Sequence, residues 1–213
     1  MASTLVSSLI DRAQVILQDK TGTRWPESEL LDWLNDAYKE IIQIRPDAYS
    51  QSATFNCVEG TLQKVTTMFP AALTLLDVMR NSTGTMRPIT LIERDILDDQ
   101  IADWHSQTPG AEVQHYAYDP RNPKEFFVYP SVAAATQVDI VYSSVPTAHT
   151  VTADVIKIDD NYANVMLDYM LYRGYLKDAD YAANGPRADS SYMAFNNAMG
   201  RKVQSDAAMV PKE

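Results

Sequence analysis

The sequence is poor in the residues that carry most protein chemistry. Its single cysteine, Cys57, excludes an internal disulfide framework and a cysteine-rich zinc site. The three histidines, His105, His115 and His149, have no second ligand at helical or finger spacing. Seven glycines in 213 residues form neither a phosphate loop nor a dinucleotide fingerprint. No G-x-S-x-G nucleophile elbow occurs. Basic residues are outnumbered, 18 Lys and Arg against 28 Asp and Glu, for a net charge of −10. Such a surface repels phosphate backbones, which argues against tight nucleic-acid binding. It also suits a protein that lies beside DNA without adhering to it. Long apolar runs are missing, so no membrane-spanning helix is expected. The first residues lack the basic stretch and apolar block of a secretion signal.

What the sequence does contain reads as helices, then strands, then helices. Leu5, Leu9, Ala13 and Ile16 have helical spacing over residues 5–18, with Thr4 as a candidate cap. Lys20-Thr21-Gly22-Thr23 breaks this helix. A second one is expected over 27–45, opened by Pro26 and stopped by Pro46. There Leu30, Leu31, Trp33, Leu34, Ala37, Tyr38, Ile41, Ile42 and Ile44 fill about half of the wheel, with Asp32, Asn35, Asp36, Lys39, Glu40 and Gln43 on the rest. Short β-type runs follow. Residues 53–58 and 61–65 around Glu59-Gly60 read as a hairpin, and further strands are expected at 73–80, 87–92, 113–118, 125–129 and 137–143. Residues 93–104 read as a short acidic helix or loop.

Helical periodicity returns at Asp159 or Asp160, either a plausible cap. From Tyr162 to Tyr172 apolar residues lie almost all round the wheel, the mark of a helix buried on more than one side. A last helix is expected over 187–203, followed by a frayed tail, 205–213. The fold class expected is α+β: a bundle of N-terminal (1–46) and C-terminal (159–204) helices with an antiparallel β-rich insertion at 47–158.

Candidate chemistry is thin. Asp95, Asp98, Asp99 and Asp103 have a spacing that puts several carboxylates on one helical face, as a metal-dependent hydrolase needs. No EF-hand glycine or terminal glutamate follows, and a solvated acidic face is the preferred reading. Phe126, Phe127 and Tyr129 supply part of an aromatic row, as in a β-lobe that binds a glycan or peptide. Cys57, in a strand, reads as a small buried hydrophobe. Neither a catalytic nor a cofactor-binding residue is assigned, and no metal site.

Several stretches, in order along nearly the whole chain, carry a likeness. They are residues 25–46 (WPESELLDWLNDAYKEIIQIRP), 59–63 (EGTLQ), 75–81 (LLDVMRN), 127–130 (FVYP), 140–146 (IVYSSVP) and 160–179 (DNYANVMLDYMLYRGYLKDA). With them the sequence resembles the head-to-tail adaptor, or connector, proteins of tailed bacteriophages, including the tail-tubular gatekeeper ring proteins. The resemblance implies a helix bundle with a β insertion, a virion protein of the capsid vertex and no enzymatic residues. Its implied partners are other copies in a ring, a dodecamer, then the portal protein and a tail or nozzle protein. DNA passes through without specific binding, and no membrane is involved. A ring needs mating side faces. The helices at 27–45 and 160–181 offer apolar surface for them, with Trp33, Tyr38, Ile42, Tyr162, Met166, Tyr169 and Tyr172 as subunit-interface candidates. The apolar cluster at the C-terminal end makes Met209, Val210 and Pro211 the portal-docking candidates.

Overall fold

The computed structural model describes residues 3–181 and 183–209. The chain divides into two compact units. One joins residues 1–48 to 146–213, and the other is residues 49–145. The class is α+β, as the element order indicates.

The helical unit contains α1 (Val6–Ile16), α2 (Glu27–Ile44), α4 (Ala163–Lys177) and α5 (Asn184–Met209). Helix α2 follows the expectation closely. Pro26 precedes it, Glu27 and Glu29 sit in its positive first turn, and the predicted apolar residues are buried except Leu31, which is half-buried, and Ile44, which is exposed at the last turn. Helix α1 buries Val6, Leu9, Ile10 and Ala13. Its N-cap is Leu5, which makes no side-chain cap, so Thr4 does not fill that role. Instead the Asp160 carboxylate accepts the backbone N–H groups of Ser3 (2.8 Å) and Thr4 (2.9 Å). Asp159 is the residue that caps, accepting from the Asn161 N–H at 3.0 Å.

The segment after Val145 belongs to the helical unit because it straps the N-terminus. Val6 N–H donates to the Asp154 carbonyl (2.9 Å), Ser7 N–H to that of Thr152 (2.8 Å), and Ile156 N–H to that of Thr4 (2.9 Å). His149 ties the same segment to α2. Its Nε2 lies 3.0 Å from the Tyr38 hydroxyl and its Nδ1 3.2 Å from the Asp154 carboxylate. The Tyr38 oxygen also accepts the Lys157 N–H at 3.0 Å.

The β unit holds β1 (Ser50–Asn56), β2 (Gly60–Lys64), β3 (Ala72–Asn81), β4 (Thr90–Leu91), α3 (Arg94–Gln100), β5 (His115–Tyr118), β6 (Glu125–Val132) and β7 (Gln137–Ser144). One sheet has the order β1-β7-β3, the other β2-β6-β5-β4. All pairs are antiparallel except β4 with β5. The predicted hairpin of 53–58 with 61–65 does not form. β1 pairs with β7 and β2 with β6, so the chain changes sheets at Val58–Gly60. Gly60 has φ +111°, open to glycine alone at little cost. The buried Gln63 amide fixes the bend, accepting the Val58 N–H (2.8 Å) and donating to the Val58 carbonyl (2.9 Å). The inner faces of both sheets share one core that includes Phe55, Leu75, Val78, Phe126, Val128, Val138 and Ile140. Alternation along β6 and β7, where Phe126, Val128, Val138 and Ile140 point inward, builds much of it.

Candidate interaction surfaces

Helix α4 is the axis of the helical unit. Helices α1, α2 and α5 all pack on it. That satisfies its all-round apolar pattern inside one subunit. Trp33, Tyr38 and Ile42 on α2 are buried, and so are Tyr162, Met166 and Tyr169 at and along α4. Tyr172 alone of the interface candidates is partly exposed. Close packing is visible at Gly174, where an added Cβ would lie 3.2 Å from both Leu17 methyls and 3.5 Å from the Trp33 ring. The Trp25 indole N–H donates to the Gly174 carbonyl at 3.1 Å.

Helix α5 differs from the expectation at both ends. It starts at Asn184 and runs to Met209, so residues 205–209 are helical and not a frayed tail. Pro186 is tolerated in its first turn because the N–H groups there have no intrahelical partner. One narrow stripe, Ala188, Phe195 and Met199, is buried against α4. Along that seam the Tyr172 and Tyr192 ring centroids are 4.8 Å apart and those of Tyr169 and Phe195 5.5 Å. Most of the remaining surface of α5 through Arg201 faces outward. Met193 is 63% exposed and, on the turn before the helix, Tyr181 is 65% exposed. Of the portal-docking candidates, Met209 is the last helical residue, and Val210 and Pro211 lie outside the described residues.

The β unit spends its conspicuous residues on structure. Phe126 points into the core. Phe127 points out but is covered. The Trp104 ring meets it edge-on at 5.8 Å, His105 at 5.6 Å, and the Arg94 guanidinium lies 5.5 Å from its centroid. Tyr129 stacks with His115. The three aromatics therefore form no open row. Asp98 accepts from the Trp104 indole (2.9 Å) and Arg94 (3.1 Å), and these bonds hold its carboxyl below the usual range. It is a strut of the α3 loop and not a free carboxylate beside Asp95, Asp99 and Asp103. Among the described residues no three His, Cys, Asp or Glu side chains lie together as a metal site requires. Burial pushes the Cys57 thiol up to about 12, which keeps it protonated and inert.

The stretches that carry the likeness have equally plain roles. Asn81 is buried, accepts the Val113 N–H at 2.8 Å and donates to the carbonyls of Val113 (2.8 Å) and Arg87 (3.1 Å). Asp77 accepts the Tyr116 hydroxyl at 2.9 Å. Gln63 holds the sheet-switching bend. Sequence reasoning assigned these residues no function because a buried amide and a catalytic one look alike in a string.

No helix among the described residues is long and apolar enough to cross a membrane. No curated protein matches the chain. The family model described as SU10 adaptor protein matches residues 4–213, which takes in both units. With a helix bundle, a β-rich insertion and an outer helix held on one seam, the chain belongs to the SU10 adaptor protein family, a family of structural phage adaptors that act within the virion beside other phage structural proteins.

Proposed function

We propose that the protein forms a ring, a dodecamer, at the capsid vertex, where it docks on the portal, extends the DNA channel and receives the tail or nozzle protein. The observation that carries this reading is α5. A helix of 26 residues is about 39 Å long, and among the described residues it is held mainly by α4 along one stripe. Large apolar side chains left outward on such a helix mark an interaction face. Tyr169 packs on Phe195 beneath that face, while the candidates Trp33, Tyr38, Ile42, Tyr162 and Met166 are buried in the subunit that carries the helix. Tyr172 reaches the surface and, with Tyr192 and Met193, forms the proposed contact between subunits. Met209, at the end of α5, together with Val210 and Pro211, which follow it in the sequence, is the proposed portal contact. The net charge of −10 supports a passive conduit, since like charge keeps packaged DNA from adhering.

Native mass measurement and negative-stain imaging of the full chain, alone and with the portal of the same phage, test the reading. A closed ring seated on the portal is expected. A chain that stays monomeric under both conditions overturns it. Micromolar duplex binding at physiological salt, with a steep salt dependence, would count against the conduit.

A further inference from the structure

We infer that a cavity at the α4–α5 turn receives the acidic α3 ridge of a second copy; this contact rests on the ring reading above. The cavity measures about 450 Å³ and takes in Ile16, Arg24, Tyr175, Asp178, Tyr181 and Arg187. Both arginines are held against aromatic rings. The Arg24 guanidinium lies 5.2 Å from the Trp25 centroid, and that of Arg187 5.8 Å from the Tyr175 centroid. Stacking orients a planar cation and leaves its N–H edges for a carboxylate. Arg24 already has a partner in Asp178, which also accepts from the Asn184 amide at 2.8 Å. Arg187 has none: no ion pair or hydrogen bond reaches its guanidinium among the described residues. The cavity is thus net positive in a chain of net charge −10.

The rim decides what kind of anion fits. Ile16 and Tyr181 are exposed beside the arginines, so the occupant brings apolar side chains as well as carboxylates. Duplex DNA brings no such groups, and the rest of the surface repels it. The chain itself carries the complement. Around α3, the carboxylates of Glu93, Asp95, Asp99 and Asp103 have no ion pair or side-chain hydrogen bond among the described residues. Leu91, 64% exposed, and Ile96 stand among them. Asp95 and Asp99 are four apart on a helix, neighbours on one face roughly 6 Å apart. A head-to-tail ring requires each subunit to present two different mating surfaces. A basic cavity with an apolar rim and an acidic ridge with apolar side chains meet that requirement in charge and in chemistry.

A charge swap tests the pairing. Native mass of the full chain is measured with the portal for wild type, Arg187→Glu, Asp95→Lys with Asp99→Lys, and the three substitutions combined. All three positions are exposed, so each variant should keep the wild-type far-UV circular dichroism and a melting temperature within a few degrees. The expected result is loss of the ring in the first two variants and its recovery in the combination. Rings of normal yield in either partial variant overturn the contact. Loss in both without recovery in the combination overturns the choice of α3 as occupant. A wild type that never leaves the monomer fails the ring reading itself, a result distinct from the other two.

Discussion

Helix α4 has 15 residues and buries eight of them, on faces turned toward α1, α2 and α5. Helix α5 has 26 residues and, among the described residues, packs chiefly on α4 through one stripe. The two are joined by a short turn and packed against each other, yet they meet different demands. The pattern of α4 is largely complete within one subunit, with Tyr172 half-buried and Leu176 exposed near its C-terminal end. The pattern of α5 is incomplete, since residues on its outer side contribute nothing to the subunit that carries them. On the proposed reading, stability lies in α4 and recognition in α5. Substitutions in the two helices should therefore separate folding from assembly.

The largest effect is expected in α4. Met166 is fully buried. Met166→Asp places a carboxylate among apolar side chains with no cation to pair it, at a cost of roughly 3–5 kcal/mol. Domains of this kind have about 5–15 kcal/mol in total. The variant should show a steep drop in urea midpoint or fail to fold. A midpoint close to wild type would mean that α4 is not the axis of the subunit.

The seam comes next. Phe195 is 1% exposed and touches the rings of Tyr169 and Tyr192. Phe195→Ala removes a large buried ring and leaves a cavity, at a cost of about 3 kcal/mol. Because α5 has only this stripe to hold it, the loss should appear first in α5. Amide exchange in residues 188–199 should rise more than in α2. Equal loss of protection in both helices would make α5 part of the common core, and the comparison would fail.

How much of this was legible in the sequence follows from the range of the contacts. Helix α2 could be read almost to the residue, because its apolar and polar halves are written in one continuous stretch. For α4 the all-round pattern showed burial on several sides but not by what. Only the positions of α1, α2 and α5 assign that burial to the subunit itself. The ends of α5 were misplaced because Gly185 and Pro186 look like a break, while a first turn accepts both. The false hairpin came from Glu59-Gly60, a good local turn signal that lies between strands whose partners are residues 137–143 and 125–132. Registers set by distant segments leave no local trace. Arg24 and Arg187 sit near opposite ends of the sequence, and nothing in the string suggests a shared cavity.

The first residues of the chain sharpen the comparison from the other side. Where α5 is loosely held, the segment before α1 is tied down by Asp160. Hydrogen bonds from Thr4 and then Ser3 hold this carboxyl far below its ordinary value of 3.8. A lowered folded-state value favours the folded chain above the unfolded pKa of about 3.9, and that contribution fades as the pH falls below it. Asp160→Asn should lower the melting temperature slightly at neutral pH, and the gap to wild type should begin to narrow below about pH 4, closing only as the pH falls through the far lower folded-state value. A gap that is constant from pH 7 to pH 3 would show that the tie does not depend on the ionised carboxylate.

The smallest effect on the subunit is expected at Met193, and it bears most directly on recognition. The residue is 63% exposed on the outer side of α5 and belongs to no buried cluster. Met193→Asp therefore removes little packing and strands no charge away from water. Its stability change should stay within about ±0.5 kcal/mol, as for most surface substitutions. At an interface the same carboxylate would lie among the apolar groups of a partner, and association would carry the desolvation cost that folding does not. The expected pair of results is a melting temperature within a degree or two of wild type and a marked fall in assembly with the portal. If stability and assembly are both unchanged, the outer side of α5 is not the contact face. If both fall together, Met193 supports the subunit, and the division of labour between α4 and α5 does not hold.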